Sequence, residues 1–303
     1  MNARDETQAV FWCSLLAPVL FGEVSARETG RFLRGLAEKP CAFPDGRRQK
    51  PSLAEHAPVA ALWKDGRMTQ GLARLQYLVE HGTLGLVLGA SGLGKSALVK
   101  RFLHEVRGPA CLPIYLHLTH LSSNGLLKLL VTALGETPCR GKDRLFAQIV
   151  QRARSAEARV LVVLDEAHLL DADSLTDLRL LVSSALDDAP PLRLLLVGQH
   201  ALAQTLRQAV LRDLLDRITV RYHLHPLDRD QTAAYLDFQM KQAGGTGKEF
   251  DAPAKSLLHD YTGGVPRQIN NLATACLLAA AAANTHHVTE AVLQQTLTEF
   301  QLP

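Results

Sequence analysis

Residues 89 to 96 read Gly-Ala-Ser-Gly-Leu-Gly-Lys-Ser, and this pattern is the strongest indication of the fold. It lies between an apolar run at 84–88, which favours a strand, and a run at 97–103 that favours a helix. In that setting the pattern G-x-x-x-x-G-K-S/T forms a loop whose backbone N–H groups and following helix N-terminus bind phosphate. Lys95 is expected to reach the β- and γ-phosphates, and the Ser96 hydroxyl to bind Mg²⁺. The residues predicted to bind the nucleoside triphosphate are Gly89, Ala90, Ser91, Gly92, Leu93, Gly94, Lys95 and Ser96.

A second run, at residues 159–168, is rich in valine and leucine and carries the two carboxylates Asp165 and Glu166. Its apolar part is typical of a strand buried on both faces of a parallel sheet. Ligands of such sheets bind at the carboxyl ends of the strands, where both carboxylates would emerge. We predict that Asp165 orients Mg²⁺ through its water ligands. Glu166 is predicted to be the general base for the water that attacks the γ-phosphate.

Two further apolar runs, at 112–118 and 192–199, also predict strands. The first lies between the two nucleotide motifs in the chain, an arrangement typical of P-loop ATPases that carry a catalytic glutamate. The second ends in Gln199, which is placed to sense the γ-phosphate or to hold the attacking water. The alternative for Gln199 is an ordinary polar residue at the end of a strand.

Composition and charge are those of a chain with helices packed on a sheet. The 303 residues are 47% hydrophobic and 5% aromatic, and the net charge of +3 does not by itself argue for nucleic acid. No run reaches about 18 apolar residues, and no signal peptide is evident, so we expect a cytoplasmic protein that does not bind membranes. The five cysteines include no C-x-x-C pair, so we expect reduced thiols, without zinc or disulfides.

From Pro226 onward the pattern is helical, with four helices separated by glycine-rich stops. Gly264-Val265-Pro266-Arg267 would place Arg267 at the start of the third of these helices. The chain therefore divides into an N-terminal extension at 1–52, a nucleotide-binding core at 53–225 and a helical lid at 226–303.

In this order, the stretches GASGLGKS, LVVLDEAH, LLLVGQ, DRITVRYHLHPL and GGVPRQINNL resemble AAA+ ATPases of the ExeA and TniB type. These are relatives of the TnsC and IstB regulators of bacterial DNA transposition. The resemblance covers roughly residues 60–300 and implies an α/β fold. Its parts are a P-loop AAA+ core with a parallel sheet, a C-terminal all-helical lid and, in this chain, a small helical N-terminal extension.

The resemblance also implies roles for particular arginines in a homo-oligomer, either a ring or a filament. Arg267 matches the arginine that touches the γ-phosphate from the lid. Arg217, or alternatively Arg212, falls where the family places the finger that acts on the neighbouring subunit's nucleotide. The alternative for each arginine is a solvated charge on a helix. His200 departs from the family pattern, because many relatives have proline after the Gly-Gln pair.

The extension at 1–52 contains two amphipathic segments, at 11–22 and 27–38, followed by an Asp-Gly turn signal and basic residues. It is similar to the N-terminal helix-turn-helix segments of integrase-type transposases, but the expected recognition helix is missing. We therefore expect a remnant that docks on a transposase or, as an equal alternative, a helical cap on the ATPase.

These patterns and the resemblance predict an ATP-dependent regulator of DNA transposition that oligomerises on double-stranded target DNA. In this hypothesis it recruits or activates a DDE-type transposase. The residues expected to contact DNA are Arg47, Arg48, Lys50, Lys128, Arg140 and Lys142. The first alternative is an ExeA-type ATPase that energises assembly of a secretion machine. We rank it second because such relatives usually append a membrane helix and a cell-wall-binding domain. The other alternative is an ATP-binding signalling switch with low turnover.

Overall fold

The computed structural model describes residues 62–106, 111–183 and 192–300, with the backbone of two short strands at 41–42 and 48–49. Lys64–Pro226 form one compact unit, and the helices from Leu227 onward, together with Trp63, belong to a second unit. The segments predicted to be amphipathic helices in the first 52 residues lie outside the described residues.

Strand β1 (Cys41–Ala42) pairs antiparallel with β2 (Arg48–Gln49) on either side of the Asp-Gly turn signal. The first compact unit contains a five-stranded parallel sheet with the order β4-β5-β6-β3-β7. Its strands are β3 (Leu84–Leu88), β4 (Cys111–His117), β5 (Arg159–Asp165), β6 (Leu192–Gly198) and β7 (Ile218–His223).

Buried apolar side chains explain why these segments are strands. All five residues of β3 are buried, and so are Val160–Leu164 of β5 and Leu194–Val197 of β6. Central strands of a parallel sheet are covered on both faces, which requires such continuous apolar runs. The strand that separates β3 from β5 is β6, whereas β4 lies at the edge of the sheet.

Seven α-helices in the described part of the first unit lie around this sheet. They are α1 (Gly66–His81), α2 (Lys95–Val106), α3 (Ser123–Ala133), α4 (Lys142–Arg154), α5 (Ala172–Ser183), α6 (His200–Leu206) and α7 (Arg212–Asp216). Asp65 caps α1 by accepting a hydrogen bond from the N–H of Met68, and Ser122 caps α3 in the same way through Gly125. Leu98 and Phe102 of α2 are fully buried, which anchors the helix that follows the P-loop.

The described residues of the second unit form four helices, α8 (Arg229–Gln242), α9 (Ala252–Thr262), α10 (Pro266–Ala282) and α11 (Glu290–Phe300). A capping box between Asp228 and Gln231 starts α8. The predicted α/β fold with a parallel sheet and a C-terminal helical unit is therefore confirmed. No helix in the described part of the chain combines the length and apolar character needed to cross a membrane.

Gly264 allows a close backbone approach that no other residue type could make. Its φ is +71°, and its carbonyl oxygen accepts a hydrogen bond of 2.9 Å from the N–H of Leu227. A Cβ atom at this position would lie 1.9 Å from the Leu227 carbonyl oxygen. The neighbouring Gly263 also has a positive φ, +56°, but a Cβ atom there would meet nothing within 4 Å.

These two glycines separate the effect of backbone conformation from that of steric overlap. We expect Gly263→Ala to lower the free energy of unfolding by about 1 kcal/mol, the cost of a left-handed alanine. Gly264→Ala should lower it by roughly 3 kcal/mol or more, because the backbone of Leu227 must also move. Urea denaturation measures both values, with Gly66→Ala as a control in open space. Equal losses at Gly263 and Gly264 would contradict the steric argument.

Candidate nucleotide site

The loop at 89–96 connects β3 to α2, and its glycines occupy conformations that other residues rarely adopt. Gly92 has a φ of +82° and Gly94 a φ of +100°. The N–H of Gly89 donates to the carbonyl oxygen of Gly198 on β6, at 3.2 Å. The start of the loop is thereby held against the end of the neighbouring strand, and α2 begins directly at its other end.

Lys95 is the first residue of α2 and is only 6% exposed. Its Nζ donates hydrogen bonds to the carbonyl oxygens of Gly89, at 3.0 Å, and Ala90, at 3.1 Å. A buried ammonium group requires such partners, because removing it from water is costly. The lysine therefore curls back over the loop, so that its positive charge lies where the loop could hold an anion.

Asp165 joins the two nucleotide motifs. It is fully buried at the end of β5, and its Oδ2 accepts a hydrogen bond of 3.0 Å from the Ser96 hydroxyl. The same oxygen accepts a bond of 2.8 Å from the Tyr115 hydroxyl, and Oδ1 accepts one of 3.0 Å from the N–H of Glu166. Sequence reasoning missed Tyr115, because its contact depends on the pairing of β4 with β5.

Glu166 has a left-handed backbone, with φ 59° and ψ 32°, and precedes a 3-10 turn at Ala167–Leu169. A non-glycine residue in this region carries strain of the order of 1 kcal/mol, and such strain is often found at functional sites. Its Oε2 lies 3.2 Å from the Nδ1 of His168, but this nitrogen has no hydrogen bond in the described residues. The contact is therefore electrostatic and requires a protonated imidazole.

Gln199 follows β6 and is the N-cap residue of α6, although its side chain makes no capping hydrogen bond. The pairing of Leu88 with Gly198 places this residue close to the start of the phosphate loop. The sheet order therefore brings the loop, Asp165, Glu166 and Gln199 to the edge of the sheet that is formed by the carboxyl ends of its strands.

A cluster of three histidines, His200, His223 and His225, lies at the same edge and was not predicted. The ring centroids of His200 and His223 are 5.8 Å apart, and those of His223 and His225 are 6.2 Å apart. Partial burial lowers the pKa of His223, and the two neighbouring imidazoles lower it further. His223 therefore favours the neutral form. Among the described residues, no group of three or more histidine, cysteine, aspartate or glutamate side chains is arranged to hold a metal ion.

Two of the arginines predicted to act on the nucleotide belong to the first compact unit, and the third belongs to the second. Arg212 begins α7 and Arg217 follows it, and both are exposed and form no ion pair among the described residues. Arg267 is the second residue of α10 and belongs to the second compact unit. A single chain therefore leaves Arg212 and Arg217 available to a neighbouring molecule.

The basic residues expected to contact DNA are only partly described. Lys128 on α3 and Arg140 before α4 are exposed. Lys142 donates to Asp177 at 2.9 Å, so its charge already has an acidic partner. Arg47 and Lys50 lie outside the described residues, and only the backbone of Arg48 is described.

The donor set suits a nucleoside triphosphate with Mg²⁺. The glycine-rich loop at the start of α2 provides backbone N–H groups, and Lys95 adds a buried cation. The Ser96 hydroxyl and the Asp165 carboxylate, 3.0 Å apart, are the oxygen ligands that Mg²⁺ prefers, directly or through water. The residues present therefore fit both groups.

Comparisons with known proteins agree with this arrangement. The family model described as "AAA domain" matches residues 78–206. The General secretion pathway protein A of Aeromonas hydrophila is 31% identical over 250 residues, which are 75% of this chain and 42% of that protein. The chain therefore spans less than half the length of this relative.

Two archaeal structures share the fold. Cdc6p from Pyrobaculum aerophilum matches with a TM-score of 0.62 and 18% identity, over 82% of this chain and 72% of that one. The ORC1 protein of Aeropyrum pernix, solved in complex with DNA, matches with a TM-score of 0.59 and 17% identity. That match covers 80% of this chain and 68% of the ORC1 chain. The domain match, the secretion-pathway relative and the shared fold confirm that the chain resembles AAA+ ATPases of the ExeA type.

Proposed function

We propose that this protein binds and hydrolyses ATP with Mg²⁺, and that its nucleotide cycle drives the assembly of a larger protein complex in secretion. The observation that carries the proposal is the contact of Ser96 with the buried Asp165, which joins the phosphate loop to the acidic strand. The similarity to a general secretion pathway protein supports the choice of pathway. We propose a cytoplasmic location for this module, because ATP is available there.

This proposal revises the function expected from the sequence. The similarities give no support to a transposition regulator or to a DDE-type transposase as partner, whereas a secretion-pathway protein is 31% identical over 250 residues. The likeness to Cdc6p and ORC1, at 18% and 17% identity, supports the fold alone. The ExeA-type alternative is therefore the better one.

In the proposed mechanism each group at the sheet edge has one task. The loop N–H groups and Lys95 would hold the triphosphate, while Ser96 would bind Mg²⁺ and Asp165 would hold its water ligands. Mg²⁺ would neutralise the charge that develops on the phosphate oxygens. Glu166 takes a proton from the attacking water, and Gln199 holds that water in place.

The phosphate site can be tested by separating binding from turnover. Lys95→Ala should lower the affinity for ATP about 100-fold, because a buried cation that contacts the phosphates is lost. Glu166→Gln should bind ATP normally but release phosphate about 100-fold more slowly or worse, because the general base is lost. A fluorescent ATP analogue and a phosphate-release assay measure the two effects.

The matched control for Glu166→Gln is Glu80→Gln, which makes the same change on the exposed face of α1. It should leave both binding and turnover unchanged. Normal turnover in Glu166→Gln would remove Glu166 from the catalytic role, and normal ATP affinity in Lys95→Ala would remove the loop from the binding site.

We also propose that the active site is completed by a neighbouring copy of this chain. The proposal is supported by Arg212 and Arg217, which are exposed and have no acidic partner in the described part of the chain. An arginine finger stabilises the charge of the transition state, and its loss should lower turnover roughly 1,000-fold. Binding of ATP within the same subunit would be little affected.

Mixing inactive subunits tests whether the finger acts between them. Arg217→Ala, or Arg212→Ala, should regain turnover when mixed with Lys95→Ala, because some interfaces then combine an intact loop with an intact finger. Arg207→Ala changes another exposed arginine, at the end of α6, and should remain active alone. The absence of rescue with both finger variants would argue against action between subunits.

DNA binding is a second candidate, supported by the exposed Lys128 and Arg140. Assembly through ATP would align these residues along a duplex and multiply contacts that are individually weak. Binding should therefore require ATP, be indifferent to sequence and weaken steeply with salt. Fluorescence polarisation of a labelled duplex, with ATP, ADP or no nucleotide at two salt concentrations, measures this.

Charge-matched variants sharpen the DNA test. Lys128→Ala and Arg140→Ala should each weaken binding more than Lys142→Ala, which makes the same change of charge at a residue already held by Asp177. No binding at micromolar protein would exclude DNA as a partner. Binding that is equal with and without ATP would contradict the assembly mechanism.

A further inference from the structure

The hydroxyl of Tyr115 reaches Asp165 from the neighbouring strand. In the register of β4 and β5, Tyr115 pairs with Val163 and His117 pairs with Asp165. Alternate residues of a strand share one face, so Tyr115 and Asp165 are diagonal neighbours on the same face of the sheet. The long phenol side chain spans this diagonal, and its oxygen lies 2.8 Å from Oδ2 of Asp165.

The hydrogen bonds that Asp165 accepts occupy most of the lone-pair sites of its carboxylate. An ionised carboxylate has about four lone-pair sites, two on each oxygen. The hydroxyls of Ser96 and Tyr115 use both sites on Oδ2, and the N–H of Glu166 uses one on Oδ1. One lone-pair site on Oδ1 therefore remains to accept a hydrogen bond from a metal-bound water. This site points in a fixed direction only while the two hydrogen bonds to Oδ2 keep the carboxylate from rotating.

Packing in the core does not account for a tyrosine at position 115, because this residue is 43% exposed on the edge strand β4. Its hydroxyl nevertheless bonds to a carboxylate that is fully buried. A hydrogen bond to a charged group is stronger than one between neutral groups. The phenol can thus restrain the rotation of Asp165 from outside both nucleotide motifs.

We propose that Tyr115 is a positioning residue, which holds Asp165 in the orientation that accepts the water ligands of Mg²⁺. This assignment rests on the proposed Mg²⁺-dependent binding of nucleotide. Without the phenol, Ser96 alone holds Oδ2, and the carboxylate can turn away from the metal. Tyr115 therefore contributes to the gain in nucleotide affinity that Mg²⁺ provides and makes no contribution to metal-free binding.

The test compares the affinity for a fluorescent ADP analogue with Mg²⁺ and with EDTA, so no turnover is involved. In Tyr115→Phe, which removes one oxygen atom, the ratio of the two affinities should fall about fivefold or more, while the affinity in EDTA stays that of the wild type. The matched control is Tyr77→Phe, because Tyr77 is 54% exposed on α1 and stacks on His81. It should leave the ratio unchanged.

A double-mutant cycle shows whether the phenol acts through Asp165. In an Asp165→Asn background, Tyr115→Phe should produce no further change in the Mg²⁺ ratio. An equal effect in both backgrounds would overturn the assignment. A melting temperature that falls in Tyr115→Phe while the Mg²⁺ ratio is unchanged would also overturn it, because the hydroxyl would then be only structural.

Two other outcomes separate this assignment from the proposed function. A higher Mg²⁺ ratio in Tyr115→Phe would mean that the phenol competes with the metal for Asp165, which contradicts a positioning role. A wild-type protein that binds the analogue equally with Mg²⁺ and with EDTA would contradict the proposed function, and the assignment would fall with it.

Discussion

The hydrogen bond between the Ser96 hydroxyl and the buried Asp165 carboxylate is the contact on which the rest of the site depends. It joins α2, which follows β3 through the loop, to the end of β5, and β3 and β5 are separated in the sheet by β6. The contact requires Ser96 to lie in the first turn of its helix, directly after the loop, and Asp165 to end its strand at the same level. Apolar side chains determine both positions, since β3 and β5 are buried along almost their whole length. Packing in the core therefore determines where Ser96 and Asp165 lie.

Strand β6 holds the start of the phosphate loop in place. Its last residue, Gly198, accepts the N–H of Gly89 and has no side chain to occupy the space beside Leu202 and the backbone of His168. The same strand delivers Gln199 and His200 to the edge, where the ring of His200 lies near that of His223, the last residue of β7. Partial burial and the two neighbouring imidazoles lower the pKa of His223, so this residue favours the neutral form.

Local patterns predicted the parts of the site that lie within one motif, and those are the loop, its lysine and serine, and the two carboxylates. Each is encoded by residues that are adjacent in sequence and flanked by apolar runs. Tyr115 and the histidine cluster could not be found in this way, because their contacts arise from strand order and register. The same limit affected Lys142, which was expected to be available to DNA but lies against Asp177 on another helix. The comparisons confirm the resemblance to ExeA-type AAA+ ATPases, whereas the proposed choice of secretion over transposition rests on the similarity to a general secretion pathway protein.

We propose that this sheet edge forms a Mg²⁺-dependent site for ATP hydrolysis. The most direct measurement is steady-state phosphate release by the wild-type protein, with ATP and Mg²⁺ and then with ATP and EDTA, over a range of protein concentrations. We expect release only with Mg²⁺, at a rate per subunit that rises as the chains assemble. Equal release with EDTA, or no release at any protein concentration, would contradict a Mg²⁺-dependent ATPase site at this edge.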